Sequence, residues 1–364
     1  MKLFKSLLVA PATLGLLAPM SATANEVTIN DFAPAEELAV TNTRVDGLES
    51  RLNDFEAGSF SSTTSASFSV DMAIGAVESN ANSEALSTAY GYQMDLSTSF
   101  TGEDTLAVAI DSGDGAASLG ELDLNGTDDV LTLDGITYTF PVGDITVLVG
   151  DSTSGSALYS TACVYGGFTN TLDDCGNFSS AFVATGHDDS VGFSAAYDIG
   201  SGFTGAVAYQ GQGARAAGLG TNEGTDYYGG QLTYTADSFG ASVTYANLDT
   251  ATAWGLNGYY TFDSNLPSVS VGYEFTENEG NTNDDTQWFA GLQWDELGPG
   301  TFGVAAGTKG PQADGGTEEM AYEAFYSYNL NDGITITPAI FILENNLEGE
   351  DDETGIVVKT SFSF

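Results

Sequence analysis

From Ser59 to the last residue, apolar and polar positions alternate with a period of two. Phe68, Val70, Met72 and Ile74 alternate with Ser67, Ser69, Asp71 and Ala73. The pattern returns in Tyr90, Tyr92, Met94 and Leu96, and again in Leu106, Val108 and Ile110. It continues through Tyr228, Leu232 and Tyr234, through Trp288, Leu292 and Trp294, and ends in Ile356, Val358, Thr360, Phe362 and Phe364. Such alternation predicts β-strands with one apolar face. The opposite faces carry Ser, Thr, Asn, Gly and Asp, with almost no Lys or Arg. A soluble sandwich would cover its outside with long charged side chains. Here many apolar runs begin or end in Tyr, Phe or Trp, as strands do where they cross two membrane–water interfaces.

The pattern therefore predicts an all-β chain whose residues 58–364 form an antiparallel transmembrane β-barrel, apolar outward and polar inward. The segments number about 16 or 17, with the ambiguity around residues 150–180, and the even strand number of bacterial barrels selects a 16-stranded one. A barrel of that size encloses water rather than a packed core. Asp71, Asp95 and Asp111 fall on polar faces and are expected to line the lumen. Asn331-Asp332-Gly333 and Asp237-Ser238-Phe239-Gly240 read as tight turns. Longer connections are expected over 111–129, 150–178, 211–226, 276–285, 308–319 and 344–353, rich in Asp, Glu, Asn and Gly.

Before the barrel the pattern differs. Lys2 and Lys5, the apolar stretch Leu7 to Leu17 and the small-residue run Ala22-Thr23-Ala24 form a signal peptide over residues 1–24, with cleavage expected after Ala24. Residues 25–57 are read as a linker and a short helix. Leu38, Thr41, Val45, Leu48, Leu52 and Phe55 are spaced 3-4-3-4-3, a heptad seam, with Arg44 and Arg51 beside Glu37, Glu49 and Glu56. A helix this short is marginal alone. It is expected to form a coiled coil with copies of itself, the other reading being a helix laid on the barrel.

Composition narrows the function. Among 364 residues there are 51 Asp and Glu against seven Lys and Arg, a net charge of −44. Nucleic-acid binding needs a basic surface that seven cations cannot supply. With one His and two Cys, there is little material for a zinc site or a catalytic triad, and no nucleophile motif is present. No catalytic residue, cofactor or metal site is expected. Asp173-Asp174 and His187-Asp188-Asp189 lack a recognised calcium-loop spacing and read as solvated loop charge. Cys163 and Cys175 lie 12 residues apart in a Gly- and Asp-rich connection. In an oxidising envelope they are expected to form a disulfide that staples a loop, either one folded into the barrel to narrow it or a plain surface loop. The acidic loops, such as Glu350-Asp351-Asp352-Glu353, would attract cations. Phe362 and Phe364 close an alternating terminal strand, the expected signal to the barrel-assembly machinery.

Further residues carry a resemblance. Phe60-Ser61-Ser62-Thr63-Thr64 follows the heptad helix, Ser99-Phe100-Thr101-Gly102-Glu103-Asp104 follows the second strand, and Phe140-Pro141-Val142-Gly143-Asp144 follows the fourth. Together these resemble the major cyanobacterial outer-membrane porins, grouped with carbohydrate-selective OprB-type porins and also labelled iron-uptake porins. The resemblance spans about residues 35–364. It implies a homotrimer of 16-stranded barrels in the cell outer membrane, surrounded by lipid, passing ions and small polar solutes. Two departures stand out. About ten residues separate the cleavage site from the helix, leaving no room for the family's S-layer homology domain. Ala107, Ala109 and Asp111 stand where the family carries Arg and Lys. A cation-preferring diffusion channel is the expectation, and the rival is a secreted or surface-layer β-rich adhesin trimerised by its coiled coil.

Overall fold

Sixteen strands close on themselves in the computed structural model. The structure describes residues 63–364, apart from 80–84, 116, 123, 174, 176–189, 213–217, 222–223, 249, 264, 281–282 and 348–349. The signal peptide, the linker and the coiled-coil helix expected within residues 1–57 lie outside the described residues, as do Asp174 and His187-Asp188-Asp189.

In chain order the strands are β1 (Thr64–Glu78), β2 (Leu86–Thr98), β3 (Thr105–Gly113), β4 (Thr132–Val142), β5 (Ile145–Asp151) and β6 (Val191–Gly200). They continue as β7 (Phe203–Gln212), β8 (Thr225–Thr235), β9 (Phe239–Asn247), β10 (Ala251–Tyr260), β11 (Ser268–Asn278) and β12 (Asp285–Leu297). The last are β13 (Gly300–Thr308), β14 (Gln312–Ala313), β15 (Met320–Asn331), β16 (Ile334–Leu343) and β17 (Glu353–Ser363). Every barrel strand pairs antiparallel with its chain neighbours; the two-residue β14 sits outside the ring and pairs with β12.

The ring closes between β1 and β17. Asp71 on β1 is opposite Gly91 of β2 and Ser361 of β17. The amides of Phe68 and Phe364 exchange hydrogen bonds with each other's carbonyls at 2.9 and 3.0 Å, and their rings stack with centroids 5.7 Å apart. Both β1 and β17 thus lose the free edge that would otherwise template aggregation.

One end of the barrel carries short turns. Between β6 and β7 the turn residues Ser201 and Gly202 have φ of 56° and 86°. That double left-handed geometry matches the twist of the strands it joins. The other end carries most of the long connections, including 114–131, 152–190, 309–319 and 344–352. The outer face is apolar: Met72, Val207, Trp254, Leu256, Ile340 and Ile356 are all exposed. Aromatic pairs mark two levels on it. Tyr209–Tyr228 and Tyr245–Trp254 lie towards the loop end, while Phe203–Tyr234 and Trp294–Phe302 lie towards the turn end. These are the two girdles of a membrane barrel.

The inside is not uniformly polar. On the arc from β12 round to β1, Phe289, Phe325, Phe341, Leu343, Val357 and Ala73 point inward and are buried. Their cover comes from the long connections: Leu119, Leu122 and Leu124 between β3 and β4, and Tyr165, Phe168 and Leu172 between β5 and β6. The expectation of inward faces made only of Ser, Thr, Asn, Gly and Asp is corrected here. Wall positions that a loop shields from water hold aromatic residues, because burying them beneath the loop is favourable.

Candidate functional site: the lumen and the loop inside it

After β5 the chain turns into the barrel at Ser152, a non-glycine residue with φ of 51°. It then follows the inner wall from strand to strand, giving its amides to wall side chains in turn. Gly155 N donates to Gln210 Oε1 on β7 at 3.0 Å, and Ser160 N to Gln231 Oε1 on β8 at 2.7 Å. Ala162 N donates to Ser242 Oγ on β9 at 3.2 Å and Val164 N to Ser270 Oγ on β11 at 3.1 Å. Gly166 N reaches Gln293 Oε1 on β12 at 2.9 Å, and Phe168 N reaches Glu323 Oε1 on β15 at 3.0 Å. From residue 160 to 168 every second amide faces the wall. The loop is thus an extended segment whose ladder partner is a row of side chains, which satisfies backbone groups that burial would otherwise strand. Gly155 lets it lie close to β7, since a Cβ there would be 2.5 Å from Tyr209 O.

The tip is packed. Tyr165 contacts Phe289 and Phe325 with centroids 5.3 and 5.9 Å apart, and Phe168 stacks on Phe325 at 6.3 Å. Burial, together with the carboxylate of Glu323, pushes the Tyr165 hydroxyl far above the usual tyrosine range. Leu172 and Cys175 are fully buried. Leu172 N and Asp173 N donate back to Thr169 O, forming the turn. Cys163 and Cys175 are joined by a disulfide with their Cα atoms 6.1 Å apart. Thr171 Oγ1 donates to Glu121 Oε2 at 2.8 Å, tying the tip to the connection between β3 and β4.

The loop leans on the wall from β7 to β15. On the arc from β1 to β5, the ladder register puts Asp71 on the face of inward-pointing Ala73, and Asp95 opposite Ser67 on that same face. Asp111 is opposite Gln93, again inward. Gln93 Nε2 donates to Asp95 Oδ1 at 2.9 Å and Thr132 Oγ1 donates to Asp111 Oδ1 at 2.5 Å. A cavity of about 300 Å³ opens between this arc and the root of the loop, lined by Asp95, Ala107, Ala109, Asp134, Thr137 and Ser154. A bulge aims Asp134: Ala109 pairs with Gly135 and Ile110 with Leu133, which leaves Asp134 as the extra residue.

Positive charge is scarce. In residues 60–364 the chain holds only Arg215, Lys309 and Lys359. Lys309 pairs with Glu319 at 3.8 Å in the connection between β13 and β15. Lys359, inward on β17 opposite Ala73, sits with Nζ 5.5 Å from the centre of the Phe168 ring. Among the described residues no cluster of three or more His, Cys, Asp or Glu side chains could hold a metal ion. Sequence reasoning singled out the two cysteines and the three aspartates but missed Gln210, Gln231, Gln293 and Glu323. Their signal was a long polar side chain at an inward position otherwise held by small residues.

With this geometry in view, comparison with known proteins is informative. A family model described as Gram-negative porin matches residues 145–340. Uncharacterized protein alr4550 of Nostoc sp. is 27% identical, the alignment covering 94% of this chain and 74% of that protein. Among solved structures, OprB of Pseudomonas putida aligns with a TM-score of 0.65 over 83% of this chain and 94% of its own, at 11% identity. A triple mutant of Rhodopseudomonas blastica porin aligns at 0.52, covering 83% of this chain and all of its own, at 15% identity. The likeness to the two solved structures is one of fold.

Proposed function

The chain belongs to the Gram-negative porin family, channel-forming barrels of the outer membrane, and on that premise we propose that it is a passive, cation-preferring path for ions and small polar solutes. The observation that carries the preference is the charge of the lumen. Asp71, Asp95, Asp111 and Asp134 lie on the arc that the inner loop leaves open, and Lys359 is the inward-facing cation among the described residues. Solutes move down their gradient through water. The gap between that arc and the loop sets the size limit, and the fixed carboxylates raise the local concentration of cations. No bond is made or broken, so the protein's contribution is a bore and a field.

The chain is further proposed to be of the cyanobacterial type, exported by cleavage after Ala24. Copies assemble as a homotrimer, helped by the heptad segment over 38–55. The terminal strand ending in Phe362 and Phe364 engages the assembly machinery. The adhesin reading does not account for a closed barrel with an apolar outside.

The test is a planar bilayer separating unequal KCl solutions. Discrete conductance steps grouped in threes, with a reversal potential on the potassium side, support the proposal. A reversal potential on the chloride side leaves the channel standing and refutes the charge argument.

A further inference from the structure

We infer that Glu323 is the positioning residue that sets the bore of this channel, an inference that rests on the channel reading above. Glu323 lies on the inner face of β15 between Ala321 and Phe325 and is 4% exposed. Its partners Tyr165 and Phe168 belong to an aromatic cluster with Phe289 and Phe325. A carboxylate in such a place is strongly unfavourable unless hydrogen bonds fill its lone pairs. Four do, and each comes from the loop tip. Oε1 accepts from the Tyr165 hydroxyl at 2.7 Å and from Phe168 N at 3.0 Å. Oε2 accepts from Thr169 N at 2.8 Å and from Thr169 Oγ1 at 2.6 Å.

The other wall anchors are weaker. Gln210, Gln231, Ser242, Ser270 and Gln293 each take one loop amide on a neutral oxygen. Bonds to a carboxylate are about twice as strong as neutral ones. The position matters as much as the strength. The disulfide makes residues 163–175 one ring of chain, and Glu323 holds that ring at Tyr165, Phe168 and Thr169. The strand ladder from β13 to β16 closes through its own backbone and does not use the carboxylate. Glu323 therefore fixes the loop rather than the barrel. Without it the stapled ring stays attached through Gln293 and the earlier anchors on one side and through Glu121 at Asn170 and Thr171 on the other, but residues 165–169 lose their hold on β15 and the tip gains freedom over the open arc. Glu323 meets no solute; it acts through the tip.

The experiment compares single-channel recordings of the wild-type chain with Glu323→Ala and Glu323→Gln in KCl, alongside the heat-dependent gel shift of the folded barrel and a non-reducing gel for the disulfide. The expected result is a folded barrel with its disulfide intact in all three, and loss of the single quiet conductance level in Glu323→Ala, which splits into fluctuating sublevels. Glu323→Gln, which keeps one acceptor oxygen, is expected to be intermediate. Should Glu323→Ala fail to fold, the paired change Tyr165→Phe with Thr169→Val removes two of the four bonds and leaves the wall untouched; the same splitting is expected. Folded variants with the wild-type level and noise overturn the inference alone. A wild-type chain that folds, inserts and passes no current overturns the channel reading and this inference with it.

Discussion

Tyr138 donates its hydroxyl to Oδ2 of Asp104 at 2.7 Å, joining β4 to the turn between β2 and β3. The other carboxylate oxygen gathers the rest of the turn: Ser99 Oγ at 3.0 Å, Phe100 N at 2.9 Å, and Thr101 N and Oγ1 both at 2.7 Å. Gly102 N donates to Ser99 Oγ at 2.9 Å, and Gly102 itself has φ of 88°. The run Ser99-Phe100-Thr101-Gly102-Glu103-Asp104 is thus a turn wound round one carboxylate, with glycine where the backbone is left-handed.

This turn makes barrel stability depend on pH. The Thr101 backbone bond, aided by the hydroxyls of Tyr138, Thr101 and Ser99, outweighs burial and holds the Asp104 carboxyl well below the usual carboxylate range. Folding therefore favours the charged form. The stabilisation is complete above the unfolded value of about 3.9 and is lost as pH falls through the folded value below it. Asp104→Asn is expected to lower the temperature of the gel shift at pH 7, and the gap to wild type is expected to narrow steadily below about pH 4. An unchanged gap at pH 3 would mean that the charge is not what the turn uses.

Much of the barrel was legible in the alternation, because an outward position facing lipid and an inward position facing water have opposite requirements at every second residue. Ile356, Val358 and Phe362 announce their face without any knowledge of their neighbours. The alternation fails where a wall residue faces another part of the chain. In Trp288-Phe289-Ala290 two adjacent aromatics point to opposite sides, and only the loop tip explains the inward one. Glu323 sits between Tyr322 and Ala324 like any lumen acid, yet its partners lie 154 to 158 residues earlier. The spacing of Cys163 and Cys175 suggested a stapled loop. Its path along the wall, anchored on six strands, could not be read, because each anchor is a single Gln, Ser or Glu on a different strand.

The disulfide closes a 12-residue separation inside the lumen, for which loop entropy gives about 3 kcal/mol. Cys163→Ser with Cys175→Ser is expected to leave the barrel folded, since no strand pairing depends on the bond. The loss should appear in the loop, as faster amide exchange over residues 164–173 and noisier open-channel current. Equal exchange in both proteins would show that Glu323 and the aromatic packing hold the tip unaided.

Charge on the open arc should read out in the reversal potential. Asp71→Asn, Asp95→Asn and Asp111→Asn are each expected to reduce the preference for potassium, and Lys359→Gln to raise it. The fields of exposed charges reach about 30 Å at 0.01 M salt but about 3 Å at 1 M. The four shifts should therefore be large in dilute KCl and fade in concentrated KCl. Shifts of the same size at both extremes would point instead to changes in bore.

Gly291 on β12 is where the wall makes room for the loop. A Cβ there would lie 2.7 Å from Tyr165 Cδ2 and 2.7 Å from Phe289 Cζ. Neither ring can give way easily, since Tyr165 is held at its hydroxyl by Glu323 and both rings are packed on neighbours. Gly291→Ala is expected to cost about 1–3 kcal/mol by overpacking, in a strand whose extended backbone accepts alanine without strain. The origin of that loss can be checked with Tyr165→Ala. If the clash is with Tyr165, the double variant should be more stable than the sum of the single losses implies, a coupling of about 1 kcal/mol or more between residues in contact. Additive losses would place the strain on Phe289 and leave the loop's seat on β12 independent of this glycine.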